Sequence, residues 1–147
     1  MNVLILHGPN LNLLGEREPA VYGTMTLPEL NAKLESRATA LGAVLRTFQS
    51  NHEGALVDRL HAERHWANGV VINPGALTHY SYVLRDAIAA IRAPTVEVHL
   101  TNIEAREPWR RVSVVADVCA ARRMGGGVAS YVEALEWLVE KHLSPPP

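Results

Sequence analysis

The chain has 147 residues, with 14 Lys+Arg against 15 Asp+Glu and a formal net charge of −1, a length at which one core buries roughly 68–70% of the extended chain's surface. That charge balance lacks the basic footprint of a nucleic-acid binder, and 5% aromatic residues leave few stacking platforms for single strands. One cysteine, Cys119, excludes an intramolecular disulfide and a cysteine-based zinc site, and fits a reducing cytoplasm.

Short apolar runs alternate with segments of helical period. The first run, residues 3–6, predicts a strand. It stops at His7 and Gly8, far short of a signal-peptide core or of the ~20 residues that cross a membrane, so a soluble, unexported chain is expected. Residues 15–23, Gly-Glu-Arg-Glu-Pro-Ala-Val-Tyr-Gly, form a charged segment flanked by glycines. It reads either as a solvated loop or as a lid that carries Arg17 and Tyr22 over a site. Leu27, Leu30, Leu34, Ala38 and Leu41 then recur at three and four residues, an amphipathic helix with Thr26 and Glu29 as a capping-box pair and Gly42 as its stop. Further strands are predicted at 44–48, 70–73 and 96–100, with a fifth within 112–121. A second helix spans 54–67 with Leu56, Leu60 and Ala67 inward, and a third runs from about 79 to 91 on Leu84, Ile88 and Ile91. The last helix, from 128 to about 142, buries Val132, Leu135, Leu138 and Val139. Residues 1–143 are expected to form one domain, and the Ser-Pro-Pro-Pro tail at 144–147 to fray.

The alternation predicts an α/β fold, a flavodoxin-like, doubly wound, five-stranded parallel sheet in three layers. Ligands of such sheets sit outside the carboxyl ends of the strands, near the point where strand order reverses. His7-Gly8-Pro9-Asn10 follows strand one, Asn73-Pro74-Gly75 follows strand three, and His99, Thr101 and Asn102 close strand four. Polar, turn-forming groups therefore gather on one edge.

Several of these residues have chemistry to offer. A tyrosine used as a base near neutrality must have its pKa brought down by roughly two from ~10, about 2.7 kcal/mol, and a nearby guanidinium in a partly dry site does this. Arg17 is the candidate for Tyr22. Strand alternation puts Glu97 and His99 on one side, where the pair is either structural or a carboxylate-oriented proton donor. The Asn73 to His79 turn is either an ordinary turn capped at Thr78 or an anion site of backbone N–H groups. Arg106, Arg110 and Arg111 make either a solvated face or a clamp for oxygens. His61 and His65 flank Glu63 with the wrong spacing for a zinc-protease helix and point away from the apolar stripe, so they read as a solvated face. Gly125-Gly126-Gly127 is no dinucleotide fingerprint, because Ser130 stands where the third glycine belongs.

The ordered segments resemble the type II 3-dehydroquinate dehydratases over nearly the whole chain. The resemblance rests on Gly8-Pro9-Asn10-Leu11-Asn12-Leu13-Leu14-Gly15, Arg17-Glu18-Pro19 with Tyr22-Gly23, Gln49-Ser50-Asn51 with Glu53-Gly54, Asn73-Pro74-Gly75, Thr78-His79 and Glu97-Val98-His99. It implies trans-dehydration of 3-dehydroquinate to 3-dehydroshikimate through an enolate, in aromatic biosynthesis or quinate breakdown, with no metal and no cofactor. It further implies Tyr22 as base, Arg17 beside it, Asn10 holding a water at the enolate oxygen, and His99, oriented by Glu97, as acid. Asn73 with the backbone of Leu100 and Thr101 would bind the carboxylate, and His79 and Arg110 the ring hydroxyls, with Asp86 arriving from a neighbouring subunit. Trimers assembled into a dodecamer are implied too, and neither nucleic acid nor membrane is an expected partner. Thr101 replaces a common serine, and Ala129-Ser130 stands where a glycine is more usual, which bears on helix packing. The only lysines, Lys33 and Lys141, are poorly placed for the alternative imine route. The competing reading is a non-catalytic, flavodoxin-like anion-binding or regulatory domain.

Overall fold

Five strands pair in parallel in the computed structural model, which describes residues 1–144 and 146. They are β1 (Asn2–His7), β2 (Val44–Gln49), β3 (Gly69–Asn73), β4 (Thr95–His99) and β5 (Ala121–Met124), in the order β2-β1-β3-β4-β5. This is the flavodoxin-like order, with its reversal between β1 and β3. The carboxyl ends of β1 and β3 are in register there, His7 opposite Asn73.

The helices are α1 (Pro19–Tyr22), α2 (Leu27–Ala40), α3 (Glu53–Glu63), α4 (Tyr82–Ile91) and α5 (Val128–Leu143). The period-two alternation of the strands sorts their side chains to two faces. Val3, Ile5, Val71, Val96 and Val98 pack with Leu30, Leu34, Leu135 and Leu138 of α2 and α5. Leu4, Leu6, Val70 and Ile72 pack with Leu56, Leu60, Leu84 and Ile88 of α3 and α4. Each such aliphatic side chain contributes about 1.5–3 kcal/mol on full burial, so the sheet holds its strand ends rigidly where the loops depart. No helix among the described residues is long and apolar enough to cross a membrane.

The structure corrects several boundaries. The fifth strand is not the β-branched run inside 112–121 but the Ala-Arg-Arg-Met segment after it, which pairs with β4 from Val96↔Ala121 to His99↔Met124. The run instead folds into an irregular loop, held by Val114 N–H on the Thr78 carbonyl (2.7 Å) and by the Arg85 guanidinium on the Val114 carbonyl (2.9 Å), with Val115 fully buried. Residues 75–79 form a separate 3-10 turn, and α4 begins after Ser81, whose Oγ accepts the Leu84 N–H at 3.0 Å. Thr78 is thus not the cap. Helix α3 ends at Glu63, leaving Ala67 half-buried beyond it, while Glu63 itself is buried against Arg46 (2.6 Å) and Arg59 (3.4 Å). On α5, Leu135, Leu138 and Val139 are buried as expected, but Tyr131 is fully buried where Val132 is only half-buried. The fraying expected of 144–147 falls partly on Pro145 and Pro147, outside the described residues.

Candidate active site

The loops after β1 and β3 touch closely enough to need glycine. A Cβ on Gly8 would stand 2.6 Å from the Pro74 carbonyl oxygen and 2.9 Å from that of Asn73. The Gly8 N–H in turn donates to the Asn73 carbonyl at 2.8 Å, tying the two strand ends together. Asn10 follows in the left-handed region (φ 69°), its N–H held by Asn51 Oδ1 at 2.9 Å. Gln49 Nε2 braces the same corner by donating to the Gly8 carbonyl (3.2 Å) and to Asn51 Oδ1 (3.1 Å).

A cleft opens at this edge, lined by Asn10, Arg17, Tyr22, Asn73, His79, His99, Leu100, Thr101, Arg106 and Arg110 among others. It encloses about 240 Å³, below the roughly 300–1,000 Å³ of pockets for drug-sized ligands, and suits one small polar molecule. The 15–23 segment forms one wall. Its short helix α1 ends in Tyr22, and the Arg17 guanidinium lies 4.9 Å from the Tyr22 ring centroid. The guanidinium that reaches the phenol oxygen belongs to another residue: Arg106 Nη1 donates to Tyr22 Oη at 3.0 Å. Arg106 was visible in sequence only as one arginine of three, and nothing local distinguishes it from Arg111, which is exposed.

The opposite wall is built on β4. His99 Nε2 donates to Glu97 Oε1 at 2.7 Å, with both residues buried. The same oxygen accepts from Thr78 Oγ1 (2.5 Å) and Ser113 Oγ (2.7 Å), and Arg122, the register neighbour of Glu97 on β5, brings Nε to 3.0 Å from Oε2. Burial pushes the Glu97 carboxyl up, but the hydrogen bond and charge of His99 with the Thr78 and Ser113 hydroxyls outweigh it and hold the group below the usual carboxylate range. Glu97 is therefore an anchored anion behind His99. The sequence marks Thr78 only as a helix cap and gives Ser113 and Arg122 no role, because their common partner, Glu97, lies on another element.

The remaining residues surround this axis. Asn73 is buried, and its Oδ1 accepts the Gly75 N–H at 3.1 Å. The Leu100 carbonyl is fixed by the Gly127 N–H at 2.9 Å, and Ser130 Oγ accepts the Gly126 N–H at 3.0 Å, giving the unusual serine a structural use. His79 Nδ1 donates to the Val112 carbonyl (2.6 Å), which leaves Nε2 as the acceptor of the neutral ring. Arg110 lines the cleft while its Nε donates to Glu107. Asp86 is exposed on α4 and does not line the cleft of its own chain. Lys33 and Lys141 are exposed on α2 and α5, outside the cleft.

Residues 1–139 match the family model described as dehydroquinase class II. The chain belongs to the class II dehydroquinase family. A 3-dehydroquinate dehydratase of Roseiflexus castenholzii is 56% identical over 139 residues, covering 95% of this chain and 88% of that one. A fungal relative, catabolic 3-dehydroquinase 1 of Neosartorya fischeri, is 50% identical over 92% of this chain and 90% of its own. Among solved structures, the type II dehydroquinase of Butyrivibrio crossotus superposes with a TM-score of 0.92 at 38% identity, over 94% of this chain and 97% of that one. In this dehydroquinase family member, Asn10, Arg17, Tyr22, Asn73, His79 and His99 of the motif segments line the cleft.

Proposed function

We propose that this chain eliminates water in the trans sense from 3-dehydroquinate, giving 3-dehydroshikimate through an enolate. One observation carries the reading: a tyrosine held by guanidinium groups faces, across one small cleft, a histidine held by a buried carboxylate. Such a pair separates the base from the acid, as removal of a proton beside a ketone followed by loss of a hydroxyl requires.

Tyr22, as phenolate, takes the proton from C2, and the C–H electron pair moves into the enolate whose negative charge rests on the ketone oxygen. Arg106 and Arg17 favour the charged phenolate, and a water held by Asn10 favours the enolate oxygen. The enolate then re-forms the ketone as the C1–O bond breaks, and His99 gives its proton to the departing hydroxyl, which leaves as water. Asn73 with the backbone of Leu100 and Thr101 receives the carboxylate, and His79 and Arg110 the ring hydroxyls. Asp86 completes the site from a neighbouring copy in a trimer-based assembly, a reading supported by the exposed Tyr82 and Val83 that share α4 with Asp86 and by the exposed Trp109 at the cleft.

The product is a conjugated enone, so incubation with dehydroquinate should raise an ultraviolet band. In Tyr22→Phe the band should grow more slowly by a factor of at least ~10², while binding of the substrate, followed by calorimetry, persists. A folded wild-type protein that produces no band would overturn the activity, and near-normal turnover in Tyr22→Phe would remove Tyr22 as the base.

A further inference from the structure

The two carboxylate oxygens of Glu97 keep unlike company. Oε1 accepts from His99 Nε2 (2.7 Å), Thr78 Oγ1 (2.5 Å) and Ser113 Oγ (2.7 Å), so the group is oriented without any further donor. Oε2 is buried and has no hydrogen-bond partner among the described residues. What stands beside it is a charge, the Arg122 guanidinium, with Nε 3.0 Å away. Arg122 is the register neighbour of Glu97 on β5, which puts both side chains on one face of the sheet. Its Nε and Nη2 are buried too and without a hydrogen-bond partner among the described residues, while Nη1 lies 3.6 Å from the exposed Glu104. Buried guanidinium nitrogens are costly unless an anion balances them, and the fully buried carboxylate of Glu97 needs a cation in the same way. The contact is one of charge, not of hydrogen-bond direction.

The proposed elimination changes the charge on His99 and leaves that on Glu97 alone. Before the step, imidazolium, carboxylate and guanidinium sum to a single positive charge. Once Nδ1 has given its proton to the leaving hydroxyl, they sum to zero. Without Arg122 the same step would start from a neutral pair and end on a buried carboxylate that nothing offsets. A histidine in such a pair keeps its proton and is a poor acid.

We infer that Arg122 acts through Glu97 as a positioning residue whose contribution is charge, a permanent counter-ion that keeps Glu97 ionised while His99 loses its proton. A guanidinium suits the task because it stays charged wherever a histidine titrates. The inference rests on the reading above that His99 is the acid. Tyr22, His79 and the guanidinium groups of Arg17, Arg106 and Arg110 share the cleft with His99 and are unchanged by substitution at position 122. Behind the pair, the Cys119 thiol is pushed up to about 12 by burial and stays uncharged, and Asp117 is paired with Arg85.

The test follows the His99 ring signals across pH by NMR, without substrate, in the unmodified protein, in Arg122→Gln and in Arg122→Lys. Loss of the signals in His99→Gln identifies them. In Arg122→Gln the midpoint should rise by about 1 on the pH scale, and kcat for dehydroquinate should fall by up to about tenfold with KM nearly unchanged. Arg122→Lys, which restores the charge but not the shape, should return both toward wild type. An unmoved midpoint in Arg122→Gln, or a moved midpoint with an unchanged kcat, would overturn the proposal. If Arg122→Gln does not fold, the unmodified protein decides: the Glu97 ¹³C carboxyl signal should be that of a carboxylate on both sides of the His99 step, and a carboxylic acid at neutral pH would overturn the role of Arg122. The titrations need no turnover, so a wild-type protein without dehydratase activity would remove the activity while the midpoint still decides the charge coupling.

Discussion

Tyr22 owes its surroundings in the cleft to a group brought from far along the chain. Tyr22 receives the Arg106 guanidinium from 84 positions away at 3.0 Å, whereas Arg17 covers only its ring face. A hydrogen bond to a charged group contributes about 1.5–3 kcal/mol, and a cation over an exposed ring about 0.5–1 kcal/mol. On the proposed mechanism, the larger share of the phenolate's stabilisation therefore falls to Arg106. Arg106→Gln should lower kcat/KM by roughly 10- to 150-fold, the rate equivalent of that hydrogen bond. Steady-state kinetics on the purified variant, beside Arg106→Lys, measure this. A value within twofold of wild type would return the role to Arg17.

At the scale of elements, the site depends on how closely β1 and β3 end against each other. Gly8→Ala places a methyl group 2.6 Å from the Pro74 carbonyl oxygen, a backbone atom that cannot rotate away. Overpacking of this kind costs about 1–3 kcal/mol, and here it also spreads the two loops that carry Asn10 and Asn73. Urea melts should show the lost stability, and KM should rise with it; wild-type values of both would mean the junction is more yielding than its contacts suggest. Elements of this kind were legible because their signals are local: Leu30, Leu34 and Ala38 mark the buried face of α2, and Thr26 Oγ1 does accept the Glu29 N–H, at 3.3 Å. The fifth strand was not, because the apolar run before it is buried as a loop, and the ladder position went to a segment whose two arginines hide its period. Ser81 and Tyr131 were missed for a related reason. Each is polar in a buried place, and the partner that makes burial affordable, Leu84 N–H or His7, is invisible until the chain folds. Glu97 with His99 was readable from alternation alone, while Thr78, Ser113 and Arg122 required the packed layers.

For the molecule as a whole, the near-neutral net charge of −1 conceals buried groups that make folding sensitive to acid. His7 remains neutral in the folded chain down to about pH 4, because its burial outweighs the hydrogen bond from Nε2 to Asn31. The unfolded chain takes up that proton near 6.5. Between these values the unfolded state binds more protons, so stability present above pH 6.5 is lost as the pH falls toward 4, by about 3 kcal/mol for this one group. Glu97 acts in the same direction at lower pH. Its carboxyl is held below the usual range despite the opposing effect of burial, so its contribution disappears as acid finally protonates it. Of a total of about 5–15 kcal/mol for a typical domain, a loss of this size is enough to bring the fold near its limit. Urea unfolding at pH 7, 5.5 and 4.5 should therefore show a falling midpoint, and His7→Gln, which cannot titrate, should flatten the fall between the upper two values. An identical acid dependence in that variant would place the sensitivity elsewhere and leave His7 a neutral link whose burial has no cost in protons.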